Sequence, residues 1–143
     1  MKVVVSACEV RKMRERMKKA YPRERVEYLW GEIVGNSVHI YIFDQVPHKA
    51  ALTWCEVSAH DHAESTKDCR EAGFVFLGTV HSHPGWRDAS PSETDHDNAE
   101  GEILNGIVSV WKTKSGARRS RIRWWGPQVP VKTTLTRRKP RHV

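Results

Sequence analysis

"FVFLGTVHSHP", residues 74–84, is the stretch on which the fold turns. Its first seven residues form a largely apolar run of strand length, which predicts a central strand buried on both faces. If the strand continues through "HSH", His81 and His83 project from one face with Cβ atoms roughly 6.5–7 Å apart, and Ser82 points the other way. Pro84 cannot donate to a ladder and ends the strand. Two imidazoles so spaced can converge on one metal ion, about 2.0–2.1 Å from each nitrogen. A loop then leads to "SETD", residues 92–95, which reads in two ways. It is a capping box, with Ser92 at the N-cap and Asp95 at N3. It also offers Asp95 as a third ligand, brought back to the histidines by the loop. Two histidines and a carboxylate leave the fourth tetrahedral position open, as in catalytic zinc sites. On the residues alone both readings stand. A second HxH, "HDH" at 60–62, is expected in a polar turn before a short helix. The 81–83 pair differs because it ends a buried strand ahead of a loop and a helix start, where α/β sheets place their sites.

Outward from this strand, Val3–Val5 predict a short strand. Residues 8–20 carry Val10, Met13, Met17 and Ala20 at helical spacing among charges, a basic amphipathic helix stopped by Tyr21-Pro22. Residues 26–34 and 38–46 flank "GNS" and predict a hairpin. "ALTWCEV" (51–57) suggests another strand, 63–72 a short helix ended by Gly73, and 92–104 a further helix. "IVSVWKT", "KSGA" and "RRSRIRWW" predict a second hairpin, with Ile122 and Trp124 inward and Arg121 and Arg123 toward water. Trp30, Trp54 and Trp111 read as strand residues of the core. Strands interleaved with helices give an α/β (α+β) domain, a single mixed β-sheet flanked by helices.

The chain has 143 residues, enough for one domain with an ordinary core. Its mean hydropathy is −0.63, and no apolar run approaches the roughly 18 residues of a membrane span. "MKVVVSACEV" lacks the apolar stretch of a signal peptide. Cys8, Cys55 and Cys69 form neither a CxxC pair nor a disulfide framework. A soluble, cytoplasmic protein with no membrane partner is the expectation. The net charge of +7 is uneven: Lys and Arg concentrate in residues 1–26 and 111–143, and no acidic residue follows Glu102. These basic ends suit an acidic partner or nucleic acid, or serve as a solvated surface. In "RIRWWGP" the aromatics either stack bases between arginines or point inward. The domain is expected to span residues 1–126, followed by a basic, loosely attached tail, 127–143.

The combination "HSHP…SxxD" resembles the signature of the JAMM (MPN-plus, Mov34/MPN/PAD-1) zinc metalloproteases, isopeptidases that trim ubiquitin-like tags. The family carries a glutamate far upstream in a segment of the type "YP-x-E-x-x-G-x-L-x-G". The matching stretch here is "AYPRERVEYLWGEIVG", with Glu24 at the match and Leu29 and Gly31 in register. The resemblance spans residues 3 to about 126. It implies a cytidine-deaminase-like JAMM/MPN core and one Zn2+ per chain bound by His81, His83 and Asp95. It further implies Glu24 as general base and proton carrier to the leaving amine, and Ser92 as hydrogen-bond donor to the oxyanion. The short chain is similar to the compact prokaryotic or viral form. Its implied substrate is a protein or peptide such as a ubiquitin-like modifier, cut at an amide or isopeptide bond. Two departures stand out. The eleven residues between His83 and Asp95 are one more than usual, an insertion assigned to the loop 84–91. A position usually glycine is Glu27, a rival carboxylate or an obstacle to substrate. Trp86, in the same loop, either packs over the site and touches substrate or covers the edge of the core; His39, His48, His96 and His142 receive no role, although His96, next to Asp95, offers an outer partner for the ligands. The competing readings are a non-catalytic MPN-like scaffold and a basic nucleic-acid-binding module using residues 111–141.

Overall fold

Strand β1 (Lys2–Ser6) leads into helix α1 (Ala7–Ala20), where the Ser6 Oγ accepts from the Glu9 N–H and caps the helix. The computed structural model describes residues 1–85, 89–99, 101–126 and 131–136. Helix α1 buries Val10, Met13 and Met17, the apolar stripe of its period. The hairpin β2 (Val26–Val34) and β3 (Ser37–Asp44) turns at Gly35, which takes a φ of 58°. A two-stranded ribbon follows, β4 (Lys49–Ala50) and β5 (Cys55–Glu56), then helix α2 (Ala59–Glu71). Strand β6 (Val75–Pro84), the short helix α3 (Glu93–Asn98), the hairpin β7 (Leu104–Lys112) and β8 (Arg118–Trp125), and β9 (Lys132–Thr136) complete the described chain.

Seven strands form one mixed sheet in the order β8-β7-β6-β2-β3-β1-β9. Strand β6 is central, antiparallel to β2 and parallel to β7. One face of the sheet packs on α1: Val3, Val5, Leu29, Ile40, Leu77, Val80, Val108, Val110 and Trp124 join the three α1 residues in the main core. The opposite face carries two smaller clusters. Val26, Tyr28 and Val46 gather on one side, and Ala89, Ala99, Ile107 and Trp125 on the other. The cleft between those clusters is lined by His81, His83 and Asp95.

Gly78 sets the phase of β6. The β2–β6 register shifts between Leu29 and Trp30, opposite this glycine, so Leu77 and Val80, three apart, both reach the α1 core. A Cβ at residue 78 would collide with the Leu104 carbonyl oxygen of β7. Beyond the irregularity, plain alternation puts Thr79, His81 and His83 on the face away from α1.

Several boundaries differ from the sequence reading. Helix α2 starts at Ala59 because Ser58 caps it, its Oγ accepting from the Asp61 N–H at 3.1 Å. "HDH" therefore lies in a helical turn and not in a loop before one. The helix expected over 92–104 ends at Asn98, and residues from Leu104 join β7 as a buried strand. Trp54 is not a core strand residue; it sits between β4 and β5, half exposed at 49%. Within 127–143, read as a loose tail, Lys132–Thr136 pairs in parallel with β1 over five residues. Backbone hydrogen bonding at a sheet edge does not require an apolar pattern, so the polar sequence concealed it. Trp86, His142 and part of the loop 84–91, to which the insertion is assigned, lie outside the described residues.

Candidate functional site

Ser82 sits between the two histidines and faces away from them, completely buried. Its Oγ accepts from the Arg25 N–H at 2.9 Å, and its own N–H donates to the Arg25 carbonyl at 2.9 Å. This double tie fastens the segment before β2 to the back of the His-Ser-His step. Glu24, one residue earlier, donates its N–H to the Ala51 carbonyl of the β4–β5 ribbon at 2.8 Å. Held at both points, Glu24 lines the same cleft as His81 and His83, although nearly sixty residues separate them in the chain.

The capping box and the ligand reading of Asp95 prove compatible. Asp95 Oδ2 accepts from the Ser92 N–H at 2.8 Å, and the Ser92 Oγ accepts from the Asp95 N–H at 3.1 Å. The box clamps the carboxylate so that Oδ1 lies 3.0 Å from His81 Nε2 and Oδ2 lies 3.2 Å from His83 Nε2. The two Nε2 atoms are themselves 2.9 Å apart. Burial works to raise the Asp95 carboxyl, but its hydrogen bonds with both imidazoles and the Ser92 backbone prevail and hold it well below the usual carboxylate range.

This donor set fits a metal ion. Facing neutral imidazoles can share one proton at most, so a cation is their natural common partner beside a carboxylate. The ligand atoms of His81, His83 and Asp95 all lie within 4.8 Å of one another, and zinc takes imidazole nitrogen and carboxylate oxygen at about 2.0–2.2 Å. Among the described residues, His81, His83 and Asp95 are the one group of three or more such donors close enough to hold an ion. His62 of the other HxH pair is engaged elsewhere, its Nδ1 2.7 Å from the Tyr28 hydroxyl.

These residues open into a cleft of about 380 Å³. Trp54, Cys55 and Val57 wall one side, Thr94, Asn98 and Ala99 the other, and Thr79 and Asn105 lie along the floor. Burial raises the Glu24 carboxyl above its ordinary value, opposed by the nearby imidazoles and a hydrogen bond with Cys55. Burial, reinforced by Glu24, pushes the Cys55 thiol up to about 12, so it stays protonated and can donate. Ser92 also lines the cleft; the Ser92 Oγ accepts from Asp95 and keeps its own hydrogen to donate.

Two expectations need correction. Glu27 is no rival carboxylate: it is fully buried on the α1 face, opposite Val80, and bound by two arginines. His96, which received no role, packs its ring against Trp125, with centroids 4.8 Å apart, and does not line the cleft. Trp54 belongs to the cleft wall. The sequence reading also missed Cys55, Thr79 and Asn105. Thr79 was findable two residues before His81 on the same face, and Asn105 as the amide at the head of an otherwise apolar strand.

A family model described as prokaryotic homologs of the JAB domain matches residues 7–125. Among curated protein sequences none matches the chain. Solved structures share the fold. A protein from Desulfitobacterium hafniense aligns with TM-score 0.66 and 16% identity, covering 94% of each chain. A JAB1/MPN domain protein from Archaeoglobus fulgidus aligns with TM-score 0.56 and 20% identity, covering 93% of this chain and 98% of its own. A structure described as a JAMM metalloprotease-like zinc site in the proteasome and signalosome aligns with TM-score 0.53 and 17% identity, covering 94% and 99%. With this fold and a family match over most of its length, the chain belongs to the prokaryotic JAB-domain branch of the JAMM/MPN family.

Proposed function

We propose that the chain is a zinc-dependent metalloprotease that hydrolyses an amide or isopeptide bond of a protein or peptide substrate. The observation that carries this reading is the convergence of His81, His83 and Asp95 within one cleft that also holds Glu24 and Ser92. His81, His83 and Asp95 would hold one zinc ion through their imidazole nitrogens and carboxylate. Zinc in such a site acidifies a water molecule toward a pKa of about 7 and polarises a carbonyl.

The remaining work falls to the chain. Glu24 takes a proton from the attacking water and returns it to the departing amine, a task its raised affinity for protons suits. Cys55, whose thiol stays protonated beside Glu24, can donate to that carboxylate and orient it. Ser92 donates its hydroxyl hydrogen to the oxygen on which charge develops, a contribution of about 2.7–4 kcal/mol in comparable sites. The cleft between the β4–β5 ribbon and α3 suits a slender extended segment, such as the C-terminal tail of a ubiquitin-like protein. Free cysteines at 8, 55 and 69 fit a reducing compartment, the cytoplasm. A non-catalytic scaffold would have no use for all five polar groups in one cleft. A base-stacking role for "RIRWW" loses its aromatics, since Trp124 and Trp125 are buried.

The test is Glu24→Gln, which keeps size and shape. Zinc content and thermal stability should hold, while hydrolysis of a ubiquitin-like fusion or isopeptide substrate falls by about 10²–10⁴. Undiminished hydrolysis by this variant, or a wild-type chain that takes up no stoichiometric zinc, would sink the proposal.

A further inference from the structure

The edge strand β8 divides its residues cleanly between the two faces of the sheet. Ser120, Ile122 and Trp124 face α1: Ser120 accepts from Arg14 Nε at 2.9 Å, and the other two pack with the main core. Arg119, Arg121 and Arg123 alternate with them and lie exposed on the opposite face, the one that carries the metal-binding cluster. Register fixes their distance from it. Across β6, β7 and β8, His83, Ser109 and Arg121 form one row, and His81, Ile107 and Arg123 form the next. Two strand spacings separate histidine from arginine, about 10 Å, or some three residues of extended chain. Arg123 donates to the Ser90 Oγ at 3.0 Å, and among the described residues none of the three forms an ion pair. Strand β8 also has a neighbouring strand on one side only among the described residues; the Ser120 carbonyl accepts from Arg14 Nη2 at 2.7 Å, and the remaining outer backbone groups are open to a further strand.

We infer that β8 is a docking edge for an acidic, extended segment of the protein substrate, with carboxylates at alternate residues. The inference rests on the hydrolase reading and names the class of substrate for that site. A strand added to β8 satisfies the open backbone groups, and its period of two sets every second side chain beside the arginine row. The charge pattern gives the edge a direction. Exposed Glu93 and Asp97 on α3 repel an acidic segment, so it lies along β8 and not across α3. An extended polypeptide fits better than nucleic acid, because Trp124 and Trp125 are buried and offer no stacking platform beside the arginines.

The experiment measures binding to the full chain by fluorescence anisotropy at low salt, with three fluorescein-labelled probes. They are an eight-residue peptide of Thr-Glu repeats, a block peptide of the same composition, and a twelve-nucleotide oligo-dT. The alternating peptide should bind most tightly and weaken as salt rises. Each of Arg119→Gln, Arg121→Gln and Arg123→Gln should weaken it about two- to fivefold, and the triple variant by tens of fold. A chain carrying Arg11→Gln, Lys12→Gln and Lys19→Gln, on the exposed side of α1, should bind as wild type. Undiminished binding by the triple β8 variant overturns the inference. So does equal binding of the block peptide, or an oligo-dT affinity that exceeds the peptide's and disappears in the triple variant. Binding requires no turnover, so its failure is separable from failure of the hydrolase reading, which zinc content and Glu24→Gln test.

Discussion

Replacing Glu27 by Gln should unfold the protein more readily and leave its chemistry alone. The Glu27 side chain is 0% exposed. Its Oε1 accepts from Arg16 Nη2 at 2.7 Å, and its Oε2 accepts from Arg16 Nε at 2.8 Å and Arg25 Nε at 2.9 Å. Glutamine removes the charge and turns one acceptor into a donor that confronts guanidinium donors. Breaking a buried ion pair on one side costs about 3–5 kcal/mol. Here the arginine side chains keep 22–24% exposure and can partly reach water, so about 2–4 kcal/mol is the better figure. Against the 5–15 kcal/mol typical of a whole domain, that is a large loss. For a chain of this length it lowers Tm by about 5–15 °C.

The assay pairs thermal or urea unfolding with zinc content and with hydrolysis measured well below the lowered Tm. Zinc should stay at one per chain, and turnover per folded molecule should change by no more than a few fold. The reasoning fails if Glu27→Gln retains full stability while zinc or hydrolysis is lost, for then the carboxylate serves the cleft. The fault would lie in the β2–β6 register, which sets Glu27 opposite Val80 and Val26 opposite His81.

Three further outcomes follow from the geometry. Asp95→Asn should weaken zinc binding by more than the roughly 10–100-fold that loss of an outer partner costs, whereas Asp97→Asn, exposed on α3, should leave a zinc titration unchanged. Ser82→Ala strands the part-buried Arg25 N–H, so unfolding should show a loss of about 1–3 kcal/mol, and hydrolysis should fall further than zinc affinity because Glu24 loses an anchor. Burial pushes Glu102 up to about 7, opposed by the nearby Asn105 amide; the folded state therefore binds more protons than the unfolded one between about pH 4.5 and 7, and stability declines as pH rises through that window. Urea melts of Glu102→Gln should lose this slope and gain up to about 2–3 kcal/mol at pH 8, and an unchanged pH profile would refute the assignment.

Periodicity made much of this architecture legible. The stripe of Val10, Met13 and Met17 announces α1, and alternation in "RRSRIRWW" separates Trp124 from Arg121 and Arg123. The spacing of His81 and His83 announces a shared face. What stayed hidden depends on contacts between distant segments. A charged residue in a strand reads as solvent-facing, and only the approach of Arg16 from α1 makes burial of Glu27 tolerable. Strand β9 rests on backbone pairing with β1, which leaves no mark on side-chain pattern. Cys55 reads as a small buried hydrophobe until the ribbon turns it toward Glu24.

Adjacent residues with opposite duties are the organising device of the site. On β6, His81 and His83 face the cleft while Ser82 between them ties down Arg25 from behind. On β2, Val26 faces the cleft while Glu27 binds Arg16 and Arg25 on the α1 side. Arg25 is common to both arrangements: its backbone is held by Ser82, its guanidinium by Glu27, and Glu24 precedes it directly in the chain. The backbone ties to Ser82 and Ala51 therefore set where the candidate base sits, while the buried ion pair stabilises the sheet behind it. Asp95 repeats the pattern on a smaller scale, since the hydrogen bonds that start α3 also aim its carboxylate. In each case a group with an ordinary structural task is one covalent step, or one carboxylate oxygen, from a group with a chemical one. Such coupling orients the cleft residues before any ligand arrives, and preorganisation of this kind gives electrostatic groups their leverage on a reaction.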